Sequence, residues 1–249
     1  MSGHTHAQNI RRKKEAIDKK RGKIFSQLAK KLIAAARAGG GDPNANLALK
    51  YAIDKAKAAN MPNDTIERAI KKGTGELDGA AQLVEQTFEG VGPGGVHIFV
   101  ECLTDNRNRT APEIRKIFEI GGGKLGGPGS TAWLFEKKGV IALEAAQIDE
   151  DELLELVLEA GADDMTAEDD LYEITCSPQA FEEVRTAVEG RGLTTTVAEV
   201  MLVPKSRVRI EDQKTARRVL KLLEALEEHD DVNQVASNED IVCEIALEG

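Results

Sequence analysis

The spacing of the apolar residues changes at about residue 75, and this change constrains the fold more than any single motif does. Before it, Ile17, Ile24 and Leu28 recur at intervals of seven and four residues, which places them on one face of a helix. After it, short apolar runs bounded by glycine and proline have the length and alternation of β-strands. We therefore predict an all-helical N-terminal domain, residues 1–78, followed by domains that combine helices and strands.

Local signals predict the helix boundaries within the N-terminal domain. Gly22 is expected to bend the first helical stretch, and a further helix is predicted to follow Asn46. Asp64 and Glu67 have the spacing of a capping box at the start of the next helix. Gly73 is predicted to end that helix, because glycine adopts the left-handed conformation common at helix C-termini.

The order of elements over residues 137–204 is strand, helix, strand, strand, helix, strand, which is the order of a ferredoxin-like fold. The preceding segment, 79–136, contains strands but too few helices to cover a sheet, and residues 205–249 supply a long amphipathic helix and two more strands. We therefore predict an α/β domain formed by 79–136 with 205–249, into which the ferredoxin-like domain is inserted. The predicted fold class is α+β multidomain: an all-helical N-terminal domain plus two α/β sandwich domains, one ferredoxin-like and inserted in the other.

Two further local predictions concern the second domain. Thr110 and Glu113 again have capping-box spacing and are predicted to open a helix. The segment 131–143 is predicted to form a strand, a short turn and a second strand.

Charge is distributed unevenly along the chain. Residues 1–75 hold 17 Lys/Arg and 6 Asp/Glu, a net charge of +11, whereas residues 76–249 hold 16 and 37, a net charge of −21. The inserted segment is the most acidic, since residues 138–203 hold 3 basic and 17 acidic residues. A basic end attracts phosphates, and an acidic body repels them. This asymmetry predicts a polyanionic partner for the N-terminal domain, the alternative being that its basic helices are solvated faces.

The basic residues of the first two helical stretches are the predicted nucleic-acid contacts, because their spacing keeps most of them off the apolar face. They are Arg11, Arg12, Lys13, Lys14, Lys19, Lys20, Arg21, Lys23, Lys30 and Lys31.

Three more basic residues are predicted as secondary contacts. Arg107 and Arg109 lie between a strand end and a helix start, where backbone N–H groups favour anions, although pairing with nearby carboxylates explains them equally well. Lys124 lies within residues 121–126, which match G-x-G-x-x-G. A dinucleotide fingerprint must follow a strand and open a helix, whereas this one follows a predicted helix. A loop that needs positive φ angles or close backbone approach is the favoured interpretation.

No cofactor, metal site or catalytic group is predicted. The four histidines are too scattered for a metal cluster, and no nucleophile–base signature is present, so we predict that the protein is not an enzyme. The three cysteines are widely separated in apolar runs, as expected for free thiols in a reducing compartment. No apolar run reaches the roughly 18 residues that span a bilayer. We therefore expect a cytoplasmic protein without a membrane partner.

Three long stretches of the sequence resemble the YebC/PmpR family, whose members are labelled probable transcriptional regulatory proteins. They lie at residues 22–75, 88–110 ("FEGVGPGGVHIFVECLTDNRNRT") and 121–139 ("GGGKLGGPGSTAWLFEKKG"). The resemblance implies a helical N-terminal domain and two α/β domains, one inserted in the other, and brings no catalytic residues. The family usually begins with a Gly-His-Ser-Lys-Trp-type start, whereas residues 3–7 are Gly-His-Thr-His-Ala, without a tryptophan.

The resemblance also implies two functions. Mitochondrial relatives are described as translational activators of cytochrome oxidase subunit I, and bacterial members as factors that help ribosomes through proline-rich stretches. A translation factor bound to ribosomal RNA on the ribosome is the favoured hypothesis, because phosphate contacts and shape suffice for it. A DNA-binding transcriptional regulator that uses the same basic surface is the alternative. The oligomeric state is left open.

Overall fold

The computed structural model describes residues 21–77, 83–168 and 170–243. Its helices are α1 (Arg21–Gly39), α2 (Leu47–Ala58), α3 (Asn63–Thr74), α4 (Arg107–Ile120), α5 (Glu150–Glu159), α6 (Phe181–Gly190) and α7 (Gln213–Glu227). Its strands are β1 (Val84–Val91), β2 (His97–Thr104), β3 (Lys124–Leu125), β4 (Phe135–Glu144), β5 (Ala162–Glu168), β6 (Leu171–Cys176), β7 (Thr195–Pro204), β8 (Val208–Ile210), β9 (Val232–Ser237) and β10 (Glu239–Ile241). The predicted fold class is confirmed, while the domain boundaries stay predictions.

Helices α1, α2 and α3 pack around one apolar cluster. Its buried members are Leu28, Leu32, Ala36, Leu49, Ala56, Met61, Ile66 and Ala69. Asn46 caps α2 as its Oδ1 accepts a hydrogen bond from the Leu49 N–H, while its Nδ2 donates to the carbonyls of Ala35 and Gly40. One buried side chain therefore fixes both the end of α1 and the start of α2, and the predicted boundary at Asn46 is confirmed.

The two other helix boundaries predicted in this bundle, at Asp64 and at Gly73, are wrong. Helix α3 starts after Pro62 and has no side-chain cap, so the predicted capping box at Asp64 is wrong. Gly73 lies inside the helix, where a Cβ would come within 2.6 Å of the Cβ of Ala36. Its role is close helix packing, and Gly75, with φ of 81°, ends the helix instead.

The first sheet has the strand order β3-β1-β2-β9, and its neighbouring strands are antiparallel. Helices α4 and α7 cover one face, where Ile98, Ile114, Phe118, Val219 and Leu222 form the centre of a buried cluster. Because β9 and α7 follow β7 in the chain, this domain is completed by its C-terminal segment. Strands β8 and β10 form a separate parallel pair.

Helix α4 begins at Arg107, and its N-cap residue, Asn106, lies one turn before the predicted capping box. The Asn106 side chain accepts a hydrogen bond from the Arg109 N–H and caps the helix. Thr110 is buried inside the helix, so the predicted boundary at Thr110 and Glu113 is wrong. The spacing was present, but a stronger N-cap residue preceded it.

The second sheet has the order β5-β6-β4-β7, which is that of a ferredoxin-like fold, and α5 and α6 pack on it. The predicted turn within 131–143 is wrong, because a short 3₁₀ turn, Ala132–Leu134, precedes one continuous ten-residue strand, β4. Gly139 lies in that strand, and a Cβ there would approach Cys176 Sγ to 2.6 Å. This glycine is required by packing under α6.

Among the described residues, no helix is long and apolar enough to cross a membrane.

Candidate nucleic-acid interface

The predicted contact residues fall into three groups. Arg11, Arg12, Lys13, Lys14, Lys19 and Lys20 lie outside the described residues. Arg21 and Lys23 lie in α1, but the positions of their side chains are not described. The remaining five, Lys30, Lys31, Arg107, Arg109 and Lys124, can be placed. Their nucleic-acid role stays a prediction, and the structure shows what each contacts within the protein.

Lys30 docks the helical domain on the C-terminal segment. Its Nζ lies 2.6 Å from Asp231 Oδ1 and 3.0 Å from the carbonyl oxygen of Asp230. One turn earlier on α1, Gln27 donates to the carbonyl of Val232 at 3.0 Å. Both side chains therefore bind the turn between α7 and β9, and this face of α1 is directed at the protein.

Asp231 is the centre of this contact and is only 1% exposed. Its Oδ2 accepts from Arg109 Nη2 at 2.7 Å and lies 3.0 and 2.7 Å from the hydroxyls of Thr104 and Thr110. Burial alone would raise the pKa of Asp231, but hydrogen bonds from Lys30, Arg109 and Thr110 outweigh it and hold the pKa well below its usual range. The carboxylate thus stays charged and joins three parts of the chain.

The two predicted arginines of the 105–110 loop differ in their surroundings. Arg109 pairs with Asp231 and also lies 3.1 Å from Asp105 and 3.9 Å from Glu113. Arg107, the first residue of α4, is exposed. The pairing with carboxylates considered for the arginines is therefore observed at Arg109.

A second contact joins α2 to the inserted domain. Lys55 forms an ion pair with Glu199 on β7, and Lys50 lies 3.9 Å from Glu182 on α6. Between them, the ring of Tyr51 packs edge-on against Phe181, with centroids 5.9 Å apart. Basic residues of the helical domain are therefore matched by acidic residues of the domain that it touches.

Lys31 is partly buried where these contacts converge. Burial, and then repulsion from Lys55, lower the pKa of Lys31 to about 8, against the opposing attraction of Glu199 and Glu101. Of the two predicted contacts on α1 whose side chains are placed, Lys30 thus binds another domain, and Lys31 is partly buried near Glu199 and Glu101 of the other domains.

The glycine-rich loop after α4 is organised by a buried carboxylate. Glu89 on β1 is 6% exposed, and its oxygens accept from the backbone N–H groups of Gly129, Thr131 and Ala132 at 2.6–2.8 Å. Burial acts to raise the pKa of Glu89, but these bonds prevail and lower it. A single side chain thus fixes the end of a loop that follows it by about 40 residues.

Close backbone approach explains the glycines at the other end of this loop. A Cβ on Gly123 would come within 2.8 Å of the Val91 carbonyl oxygen, and one on Gly90 within 2.7 Å of the Lys124 carbonyl oxygen. Gly122 has φ of 76°. The interpretation of this segment as a loop requiring glycine geometry is therefore confirmed. Lys124 itself is exposed on β3.

The fold and these contacts define a class: a three-domain α+β protein whose basic helical domain is docked through ion pairs on two α/β domains. The family models match along the chain in the same arrangement, "TACO1/YebC protein N-terminal domain" over residues 5–76 and "TACO1/YebC second and third domain" over 83–239. The chain belongs to the TACO1/YebC family.

Relatives and a solved structure agree with this assignment. A "probable transcriptional regulatory protein" of Pelotomaculum thermopropionicum is 53% identical over 243 residues, covering 97% of this chain and 99% of that protein. One of Halothermothrix orenii is 50% identical over 250 residues, covering 100% and 98%. The crystal structure of a conserved hypothetical protein from Aquifex aeolicus superposes with a TM-score of 0.82 at 45% identity, covering 94% of this chain and 95% of that one.

Proposed function

We propose that this protein is a non-enzymatic, cytoplasmic, nucleic-acid-binding regulator of gene expression that binds ribosomal RNA on the ribosome and assists translation of difficult, proline-rich sequences. The observation that carries the proposal is the charge division, +11 for residues 1–75 against −21 for the remainder. A domain of that charge binds phosphates, and an acidic body restricts where it binds.

The docking contacts indicate which side of the basic domain faces the other two domains. Lys30, Lys50 and Lys55 pair with carboxylates of the other domains, which satisfies much of the charge on the inward side. Six further basic residues precede Arg21, and we infer that they supply most of the contacts to a phosphate backbone. The proposed grip is therefore the segment Arg11–Lys20 and not the docked face of α1.

Charge reversal of the N-terminal segment tests this proposal. The variant Arg11→Glu, Arg12→Glu, Lys13→Glu, Lys14→Glu should lose binding to RNA while keeping its melting temperature. With about six to eight phosphates engaged, the wild-type log–log salt slope should be on the order of −4 to −6 for a single strand or −5 to −7 for duplex DNA, and the variant's slope should be smaller by about 3 to 4.

A matched control changes the same charge elsewhere in the helical domain. Its four substitutions, at exposed positions of α2 and α3, are Lys57→Glu, Arg68→Glu, Lys71→Glu and Lys72→Glu. This control should keep most of the affinity and of the salt slope. Equal losses in the two variants would show that net charge alone drives binding, and unchanged binding in the first would refute the proposed grip.

DNA binding is the second candidate, because the relatives described above are named probable transcriptional regulatory proteins. Crosslinking in cells followed by sequencing of both RNA and DNA, together with sedimentation of lysates, separates the two. Co-sedimentation with ribosomes and crosslinks to ribosomal RNA support the translation factor. Enrichment on promoter DNA without a ribosomal signal supports the transcriptional regulator.

A further inference from the structure

Trp133, the single tryptophan of the chain, is 64% exposed. It lies in the 3₁₀ turn before β4, and the buried Glu89 carboxylate holds the backbone N–H groups of Thr131 and Ala132 immediately before it. The indole Nε1 donates to the Ser130 carbonyl at 3.2 Å. A large aromatic ring is therefore kept in water in a fixed orientation, although burying it would be favourable.

The surroundings of Trp133 follow from the register of the first sheet. Glu89 and Val91 alternate with Gly90 on β1, so both side chains are on the face opposite to α4 and α7. Lys124 is directly opposite Val91 in the β1–β3 pair and therefore shares that face. Both Val91 and Lys124 are exposed, so an apolar side chain and a lysine lie on the face where the Trp133 loop is anchored.

The exposed charged side chains of this surface are lysines, although its domain is acidic. Residues 121–135 contain one charged residue, Lys124, in a body with a net charge of −21 over residues 76–249. The neighbouring chain crossing adds Lys205, whose backbone N–H donates to the Leu134 carbonyl at 2.8 Å. Within the described ranges neither lysine is in an ion pair. The nearest exposed acidic residue along the chain is Glu136, three residues after Trp133, whereas Glu89, two residues before Val91, is buried.

We propose that this surface, defined by Val91, Lys124, Trp133 and Lys205, binds single-stranded nucleic acid. An unpaired base stacks on the Trp133 indole, and the two lysines contact flanking phosphates. Duplexes are excluded because their bases are already stacked, whereas an exposed aromatic ring beside lysines is the platform that single strands use. The inference rests on the proposed function and adds to it a second contact, separate from the basic N-terminal segment.

Intrinsic fluorescence tests stacking directly, because the protein has one tryptophan. The full chain is titrated with oligouridylate of about 12 nucleotides, within the size range of single-strand sites, and with its deoxy counterpart. Inorganic polyphosphate supplies charge without bases, and a duplex supplies bases that are already paired. Saturable quenching by the single strands but not by polyphosphate or duplex is expected. Quenching by RNA alone identifies RNA as the ligand, and equal quenching by both strands shows that the base is recognised without its sugar.

Variants measure the contribution of the ring to affinity by anisotropy of a labelled oligouridylate. Trp133→Ala should weaken binding by roughly 5- to 150-fold, the range measured for loss of one stacked base, and Trp133→Phe should restore most of it. Leu158→Ala is the matched control, since Leu158 is also a large exposed apolar side chain but belongs to the acidic inserted domain. Its affinity should equal that of the wild type.

The outcomes separate this inference from the proposed function. Binding without quenching, and equal affinity of Trp133→Ala and wild type, would overturn the stacking surface and leave the N-terminal grip intact. Quenching that persists in the variant reversed at Arg11–Lys14, with unchanged affinity, would support the surface and refute the grip. Absence of any binding by the wild type would refute both.

Discussion

Asp231→Asn is the substitution with the largest expected effect on the stability of the domain arrangement. It replaces a buried carboxylate that accepts from Lys30 and Arg109 with a neutral amide, and it leaves both cations without their closest counter-charge. Removing one member of a buried ion pair costs about 3–5 kcal/mol. Because the side chains of Lys30 and Arg109 are 25% and 46% exposed and can turn to water, we expect the lower limit, about 3 kcal/mol.

The measurement is thermal unfolding of the full chain at neutral pH. For a chain of this size, about 3 kcal/mol corresponds to a fall in the melting temperature of roughly 6–12 °C. Asp230→Asn is the matched control, because Asp230 is the exposed neighbour and contributes only its backbone carbonyl to Lys30. Melting temperatures of the two variants within about 2 °C of each other would refute the reasoning.

The same variant tests how the contribution of Asp231 to stability depends on pH. The folded-state pKa of Asp231 is held below its unfolded value of about 3.9, so its contribution to stability is present above that pH and is lost as the pH falls toward the folded-state value. The difference in stability between wild type and Asp231→Asn should therefore be constant from pH 7 to about 5 and shrink below about 4. A difference that grows on acidification would contradict the assigned cause.

Two further substitutions test the buried carboxylate of Glu89 and the partly buried Lys31. Glu89→Gln should speed amide hydrogen exchange at Thr131 and Ala132 by at least tenfold, because hydrogen bonds to a charged acceptor are worth about 1.5–3 kcal/mol. Glu85→Gln, on the same strand, is the control and should leave these exchange rates unchanged. Lys31→Met should stabilise the protein by about 1–3 kcal/mol at pH 7, because a partly buried charge is replaced by an apolar chain of similar length. Burial lowers the folded-state pKa of Lys31 to about 8, so the stability of the wild type rises between that pH and the unfolded-state pKa of about 10.4. The stability advantage of Lys31→Met should therefore shrink over this interval. An advantage that does not change with pH would contradict the assigned burial.

The periodicity of the sequence predicted the fold class because helix and strand spacing are local properties. The ferredoxin-like order is of this kind, since each of its six elements has its own apolar pattern. The capping box at Thr110 failed because Thr110 is needed inside the helix, next to Asp231, which follows it by 121 residues. The turn predicted within 131–143 failed for the same reason, because Gly139 lies in a continuous strand where the later residues Cys176 and Phe181 require a glycine.

The candidate site shows the same limit. The basic residues were found from composition, but nothing local distinguishes Lys30, which binds a carboxylate of another domain, from any other helical lysine. Glu89 reads as one polar residue of an alternating strand, and its loop partners are about 40 residues away. Asp231 follows another aspartate in a polar turn, a context that usually means exposure. Long-range pairing decides each of these roles, so it is visible only in the fold.

The continuous strand β4 has a mechanical consequence for the inserted domain. The two crossings that join this domain to the rest of the chain are paired with each other, Phe135 opposite Pro204 and Glu136 opposite Val203. Two separate flexible linkers would let the inserted domain rotate freely, whereas the paired strands β4 and β7 restrict that rotation. The inserted domain is therefore held by two adjacent hydrogen-bonded strands, and its orientation is tied to that of residues 131–134, which directly precede β4.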